Sequence, residues 1–252
     1  MPNLPDSSDH PSTEDSDITF RSDVTVELVR ASARDADVVF AARVSTVGES
    51  SVEDVDSDAQ RSAGLIRYLM RERHGSPFEH NSMTFLVQAP IFVWREHMRH
   101  RIASYNEESG RYRELRPIFY VPNETRSVVQ DGKPGAYEFH PGTPEQYDVI
   151  DSATRESCAV AYDAYKRMLD AGIAREVARM VLPVTIYSSA YVTMNARALM
   201  NFLSLRKKSD DATYPSYPQR EIEMVAEAYE EHFARLMPIT HEAFVASGRV
   251  AP

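Results

Sequence analysis

The chain has 252 residues and a mass of 28.5 kDa, enough for one large domain or two small ones, and a protein of this length buries roughly 70 to 75% of its unfolded surface. Its 42% hydrophobic content is ordinary for a globular protein, and no apolar run approaches the roughly 18 residues needed to span a bilayer. The formal charge of −10 belongs to residues 1–60, which hold 14 Asp and Glu against 4 Arg, whereas residues 61–252 carry 24 of each sign. A single cysteine, Cys158, excludes an intramolecular disulfide framework and a multi-cysteine metal site, and fits a reducing, cytoplasmic setting.

Residues 1–22 open with MPNLPDSSDHPSTEDSD, which lacks the basic start and apolar h-region of a secretory signal, and are expected to form a disordered acidic tail. The folded part is then expected over residues 23–252. From Val24, VTVELV alternates apolar and polar positions as a half-buried strand does, and Asp35 to Val44 reads as a short helix. Ser57 offers an N-cap oxygen to a helix in which Leu65, Ile66, Leu69 and Met70 recur at helical spacing, and His74-Gly75 ends it. After the turn GSPFEH, Met83, Phe85 and Val87 alternate as a strand. Pro90 closes that strand and suits the first turn of a helix expected over Ile91 to Ile102, with Arg95 and Arg99 on one face at i and i+4. A loop is expected from Ser104.

The segment PIFYVP, residues 117–122, reads as extended, and residues 123–142 as rich in turn formers. Thr143-Pro144-Glu145-Gln146 combines a capping box with proline at the first helical position, predicting a long helix to Asp170. Its apolar face would hold Ile150, Cys158, Ala161, Tyr162, Tyr165, Met168 and Leu169, with Gly172 as the stop. A short helix AREVARMVL, a strand VTIYSSAYVTM, and a helix capped by Asn195 and running to Arg206 follow. A loop over 207–218 and helices over Gln219 to Leu236 and Pro238 to Ala246 complete the chain. With no internal repeat or interdomain linker, the expected fold class is a single α+β domain whose mixed or antiparallel sheet is flanked by long helices.

Polar chemistry concentrates in RHRIASYNEESGRY, Arg99 to Tyr112. The nine glycines form neither a Rossmann fingerprint nor a P-loop, so any nucleotide must be held by side chains. Arginine suits that task through its planar, bidentate fork. Arg99, His100 and Arg101 admit two readings, a solvated helix end or an anion site. Ser104, Asn106, Glu107, Ser109, Gly110 and Arg111 add donors and acceptors that a solvated end does not need. His97 and His100, with His74 and His80 upstream, raise a metal reading, but Arg95, Arg99 and Arg101 would repel a dication, so no metal is expected. Cys158 reads as core rather than nucleophile. Arg179 stays open between surface cation and ligand clamp, and some of Asn195, Arg197, Asn201 and Arg206 must face a polar cavity or an interface. A rival reading, a module holding RNA phosphates, is weakened by Glu96, Glu107, Glu108 and Glu114, which interrupt the basic stretch.

Arg99-His100-Arg101, seven residues, then Ser109, continued by Gly110-Arg111-Tyr112, resembles the signature of the flavin-dependent thymidylate synthases. Five further blocks match that family in order: ARVS at Ala42 to Ser45, HGSPFEH at His74 to His80, APIFV at Ala89 to Val93, REVARMVLP at Arg175 to Pro183, and NARALMNFLSLR at Asn195 to Arg206. The resemblance covers roughly residues 24 to 245. It implies an α+β homotetramer with active sites at subunit interfaces, FAD as bound cofactor, and conversion of dUMP to dTMP. Methylenetetrahydrofolate would be the carbon donor and NADPH the reductant, without a cysteine nucleophile, and with neither nucleic acid nor membrane as partner.

By matching position, the resemblance implies FAD contacts from Ser76, Arg99, His100, Arg101, Glu107, Asn195, Arg197 and Asn201, with Ser45 a further candidate. It implies dUMP contacts from Glu96, Arg99, Glu107, Ser109, Gly110, Arg111, Arg179 and Arg206, and catalytic roles for Arg206 and Ser109. Chemically, Ser109 to Arg111 with Arg179 would bond the phosphate, while Arg206 would stabilise negative charge on the ionising uracil. The family commonly continues with a His-x-Gln-x-Glu pattern contacting flavin; here a longer loop intervenes and Tyr217-Pro218-Gln219-Arg220-Glu221 occupies that register.

Overall fold

A computed structural model describes residues 18–52, 59–133 and 136–252. In chain order the elements are β1 (Thr19–Arg21), β2 (Thr25–Ser32), α1 (Asp35–Val47), α2 (Ala59–Arg71), β3 (Ser82–Pro90), α3 (Ile91–His97), β4 (Ser104–Glu107) and β5 (Ile118–Tyr120). There follow β6 (Val129–Lys133), β7 (Ala136–His140), α4 (Pro144–Asp170), α5 (Arg175–Ala178), β8 (Tyr187–Met194), α6 (Ala196–Arg206), α7 (Arg220–Leu236) and α8 (Pro238–Ala246). The expected α+β class holds.

The central sheet is antiparallel throughout, in the order β2-β3-β8-β4. β3 is the strand its sequence predicts, with Met83, Phe85 and Val87 fully buried, but as a central strand it also buries Thr84 and half-buries Leu86 and Gln88 on its other face; it pairs with β8 from Met83 opposite Met194 to Pro90 opposite Tyr187. Phe85 meets Tyr229 of α7 at 4.6 Å between ring centroids, and Leu199, Met200, Phe202 and Leu203 of α6 join the same core. Each such side chain contributes roughly 1.5 to 3 kcal/mol on burial. A second cluster of Phe119, Cys158, Tyr162, Tyr165, Ala178 and Ile186 packs beneath α4. Thr143 caps that helix as its capping box predicts, and Cys158, 1% exposed, has the Thr185 hydroxyl at 3.4 Å as its one polar partner among the described residues.

Two buried carboxylates of α7 fasten the segments around α6. Glu230 takes Arg249 bidentately at 2.8 and 3.0 Å, with His241 at 2.8 Å and Lys207 at 2.6 Å. Burial works to raise its pKa, but the hydrogen bonds from His241, Arg249 and Lys207 hold the carboxyl well below the usual range. Glu221 accepts from Tyr120 Oη at 2.8 Å and Arg126 Nε at 2.9 Å. The loop over 207–218 is thus fixed at both ends.

Several expectations need correction. Structure reaches back before Val24, because Thr19–Arg21 pairs in parallel with Ile118–Tyr120. The Ser57 cap lies outside the described residues. The helix expected to Ile102 ends at His97: Met98 N makes the last bond four residues back, and the amides of Arg99 and His100 reach back only three, at 3.2 and 3.1 Å. Ser104 to Glu107, expected as loop, is the edge strand β4 because β8 supplies its partners. The turn-rich segment contains the hairpin β6-β7. The helix before Pro183 is a single α-turn followed by a 3-10 turn over Arg179–Val181. α2 ends at Arg71, before the expected stop at His74-Gly75, and Arg73 takes the left-handed conformation, at φ 59°.

Candidate functional site

The Arg99–Arg101 turn and the first two turns of α6 face each other across a cleft of about 390 Å³. Its walls are Arg99, His100, Arg101, Asn195, Arg197 and Asn201, with Glu79 at one side and Ile102, Ala103, Met194, Ala198 and Phe202 supplying apolar surface. Six of the eight residues expected to hold the cofactor therefore converge from separate stretches. Strand pairing is the cause: β8 runs into α6 beside β3 and β4, so Asn195 emerges next to the turn that precedes Ser104.

Each wall residue has local support. Asn195 caps α6 through its carbonyl oxygen, accepting from Ala198 N at 2.9 Å, which leaves its amide donors free. Arg197 pairs with Glu79 and donates Nε–H to the Pro252 carbonyl at 2.6 Å. Its guanidinium lies so close to Gly75 that a Cβ there would sit 2.4 Å from Cζ. Ser76 follows Gly75 at the start of the 3-10 turn Ser76–Glu79 and is exposed. The guanidiniums of Arg99 and Arg101 make no hydrogen bond or ion pair with any described residue, so their charge is available to a ligand.

Arg206, at the end of α6, is held in a fork. Its Nη1 pairs with Glu96 at 2.9 Å and its Nε–H donates to His100 Nε2 at 3.1 Å. That acceptor role requires a neutral His100 protonated on Nδ1. Burial, with the nearby Arg206 charge, lowers the His100 pKa to about 4 and so preserves the neutral form.

A second group forms at the far end of β4. Ser109 Oγ accepts from the Arg111 amide at 3.2 Å, and Arg111 pairs with Glu176 of α5 at 2.9 Å. Gly110 is buried against Arg179: a Cβ there would stand 3.2 Å from Arg179 Cδ and 3.0 Å from Leu115 Cδ1. The Arg179 guanidinium is unpaired among the described residues. Ser109, Gly110, Arg111 and Arg179 are therefore assembled as expected, but β4 inserts about 10 Å of extended chain between them and the turn. No hydrogen bond or ion pair between described residues joins them to Glu96, Arg99 or Arg206. Glu107, expected at both ligands, ends β4 with its carboxylate accepting from Ser188 Oγ at 2.5 Å.

Other expectations land elsewhere. Ser45 lies exposed on α1 and bonds its own Ala42 carbonyl. Tyr217 is 58% exposed, whereas Glu221, in the register of the flavin-contacting glutamate, is buried on Tyr120 and Arg126 away from the cleft. His97, half of the rejected metal pair, has both ring nitrogens on tyrosine hydroxyls, Tyr229 at 2.9 Å and Tyr105 at 3.2 Å. Glu79 was not anticipated at the cleft, although its block, HGSPFEH, already carried one candidate, Ser76.

An α+β domain with an arginine-lined cleft, amide donors and no glycine-rich phosphate loop has side-chain donors of the kind that suit a phosphorylated ligand. A family model described as "Thymidylate synthase complementing protein" matches residues 27–239. A flavin-dependent thymidylate synthase of Streptomyces coelicolor is 62% identical over 240 residues, covering 95% of this chain and 98% of the relative. One from Tropheryma whipplei is 60% identical over 236 residues, covering 94% and 98%. A solved structure of the UMP/dUMP methylase PolB from Streptomyces cacaoi, bound with 5-Br dUMP, superposes with a TM-score of 0.89 at 59% identity, covering 93% and 100%. The chain belongs to the flavin-dependent thymidylate synthase family of enzymes.

Proposed function

We propose that this enzyme converts dUMP to dTMP, with FAD as bound cofactor, methylenetetrahydrofolate as carbon donor and NADPH as reductant. The observation that carries the reading is the convergence of Arg99, His100, Arg101, Asn195, Arg197 and Asn201 on one cleft with Arg206 braced beside it. The donor set fits FAD: two unpaired guanidiniums and two amides suit a pyrophosphate, and Ile102, Ala198 and Phe202 suit a flat ring. When bound, the flavin supplies hydride chemistry that no side chain of the protein can.

The chain's own residues bind, orient and neutralise. Ser109, the Gly110 amide and the Arg179 guanidinium, with Arg111 beside them, hold the dUMP phosphate. Gly110 matters there because a side chain would press on both Arg179 and Leu115. Arg206 stabilises the charge that develops on the uracil as N3 ionises, a contribution that a fixed, partly buried cation makes with little reorganisation. Glu96 and neutral His100 aim it. Cys158 takes no part, being buried on the inner face of α4.

The separation of the two groups within one chain supports a homotetramer in which one subunit's Ser109–Arg111 and Arg179 complete another subunit's cleft. Val177, Met180 and Val181, 48%, 77% and 42% exposed beside Arg179, give that contact an apolar rim. Cytoplasmic location accords with the one reduced thiol; among the described residues no helix is long and apolar enough to cross a membrane.

An anaerobic assay with dUMP, methylenetetrahydrofolate and NADPH, scored for dTMP, tests the proposal; no product from flavin-loaded protein would refute it. A second reading, methylation of UMP as well, is favoured by the similarity to a UMP/dUMP methylase at 58 to 59% identity. The ratio of kcat/KM for the two nucleotides decides between them.

A further inference from the structure

We infer that buried Tyr229 and His97 and half-buried Tyr105 form a hydrogen-bonded chain that sets the shape of the Arg99–Arg101 turn, the three acting as positioning residues. The inference rests on the reading of that turn as the cofactor wall. None of the three lines the cleft. His97 and Tyr229 are 1% and 0% exposed.

Donor counting gives the chain a direction. Tyr105 Oη lies 3.0 Å from the His97 carbonyl, 3.0 Å from the His100 carbonyl and 3.2 Å from His97 Nδ1. A phenol has one proton, and the two carbonyls can only accept, so that proton is shared between them. His97 Nδ1–H must then donate to the Tyr105 oxygen. His97 Nε2 is left bare and accepts from Tyr229 Oη at 2.9 Å. With the ring proton on Nε2 instead, Nδ1 and the Tyr105 oxygen would face each other without a proton between them. Burial pushes the His97 imidazole down to about 3, so the ring is neutral at ordinary pH.

The two carbonyls bracket the turn. Helical bonding ends at Met98, so the backbone from Met98 to His100 has only short, three-residue returns to define it. Around His97 stand Trp94, Phe202 and Tyr229, with centroids 5.3, 4.7 and 5.7 Å away, an apolar setting in which an unpartnered carbonyl is costly. The His97 carbonyl already takes the His100 amide at 3.1 Å; the Tyr105 hydroxyl adds a second bond to it and gives the His100 carbonyl its one partner among the described residues, which favours one arrangement of that stretch. It is the arrangement that puts Arg99 on the cleft and His100 Nε2 against Arg206. Tyr105 also belongs to β4, so the same hydroxyl ties the turn to the strand leading to Glu107 and Ser109.

The test uses Tyr229→Phe, Tyr105→Phe and the double variant, each titrated as apoprotein with FAD and followed through thermal unfolding. Each single change should weaken FAD about tenfold, as when the competent turn falls to about one-tenth of the population. The double variant should be no worse than about either single one, because both break one chain. Tyr229→Phe, whose hydroxyl touches neither turn carbonyl, carries the test where Tyr105→Phe does not fold. A lowered melting temperature with unchanged FAD affinity would make the role structural only and overturn the inference. A parent that binds no FAD overturns the functional reading and this inference together; a parent that binds, with unaltered variants, overturns the inference alone. In ¹⁵N-histidine spectra of the parent, His97 should be neutral and protonated on Nδ1, and an Nε2-protonated ring would also overturn it.

Discussion

Replacing Gly75 with alanine should separate stability from ligand binding. Gly75 sits at φ −73° and ψ −33°, where any residue is comfortable, so the backbone accepts the change. The added Cβ would lie 2.4, 2.5 and 2.7 Å from Cζ, Nε and Nη2 of Arg197, the tip of a flexible side chain that can move aside. Moving forfeits the Pro252 bond and the Glu79 pair, whose side chains are 40% and 43% exposed, a loss of about 1 kcal/mol after solvent screening. Alanine returns about 0.4 to 1 kcal/mol by restricting the unfolded chain. The melting temperature should therefore shift little. Ligand binding should suffer more, because a displaced Arg197 loses a charge-assisted bond of about 1.5 to 3 kcal/mol, or roughly ten- to a hundredfold in FAD affinity. Titration of Gly75→Ala, Arg197→Ala and the double variant checks the cause. The double variant should bind no worse than Arg197→Ala, and a further loss would refute the argument that the methyl acts through the guanidinium.

Arg206→Ala should retain flavin and lower kcat far more than it raises the dUMP dissociation constant; unchanged turnover would remove its electrostatic role. Arg179→Ala should mainly weaken dUMP, by roughly tenfold or more for a lost charge-assisted bond, and equal affinity in variant and parent would take it out of the phosphate site. The buried histidines predict acid sensitivity. His97 and His100 fall from 6.5 to about 3 and about 4 on folding, so between those values the unfolded chain binds more protons. Their contribution is present in full above about pH 6.5 and drains away as pH falls, to about 4 for His100 and about 3 for His97. His100→Gln should show a shallower fall of melting temperature over that window, and parallel curves would contradict this.

What was legible in the sequence was local. The α4 cap needs only Thr143 and Gln146, and the alternation of β3 needs only its own side chains, so both were readable. The end of α3 was not, because the hydroxyl that takes the His97 carbonyl comes from Tyr105 on a strand that exists only through its pairing with β8. β6 and β7 were hidden for another reason: β6, VQDGK, carries no apolar rhythm, and the alternation of Tyr137 and Phe139 in β7 is only five residues long and sits among turn formers. At the cleft, residue types followed from the matched blocks, and most of the cofactor set did gather. Their grouping could not be read. Nothing in the spacing of Ser109 and Arg206 says that β4 holds them apart, and nothing in the Tyr217–Glu221 register says that Glu221 turns inward to Tyr120 and Arg126.

The position of β8 between β3 and β4 also dictates when the cleft can come into being. β3 can pair on one side with β2, but its other edge waits for residues 187–194, about a hundred positions later, and β4 has no neighbour until the same strand arrives. Closing so long a loop is entropically expensive and makes such pairings slow. During synthesis Arg99, His100 and Arg101 therefore leave the ribosome well before β8 can fix the strand that carries Tyr105 beside them. A chain stopped short of Tyr187 would possess the whole signature and no site, so maturation of the enzyme is set by its last third.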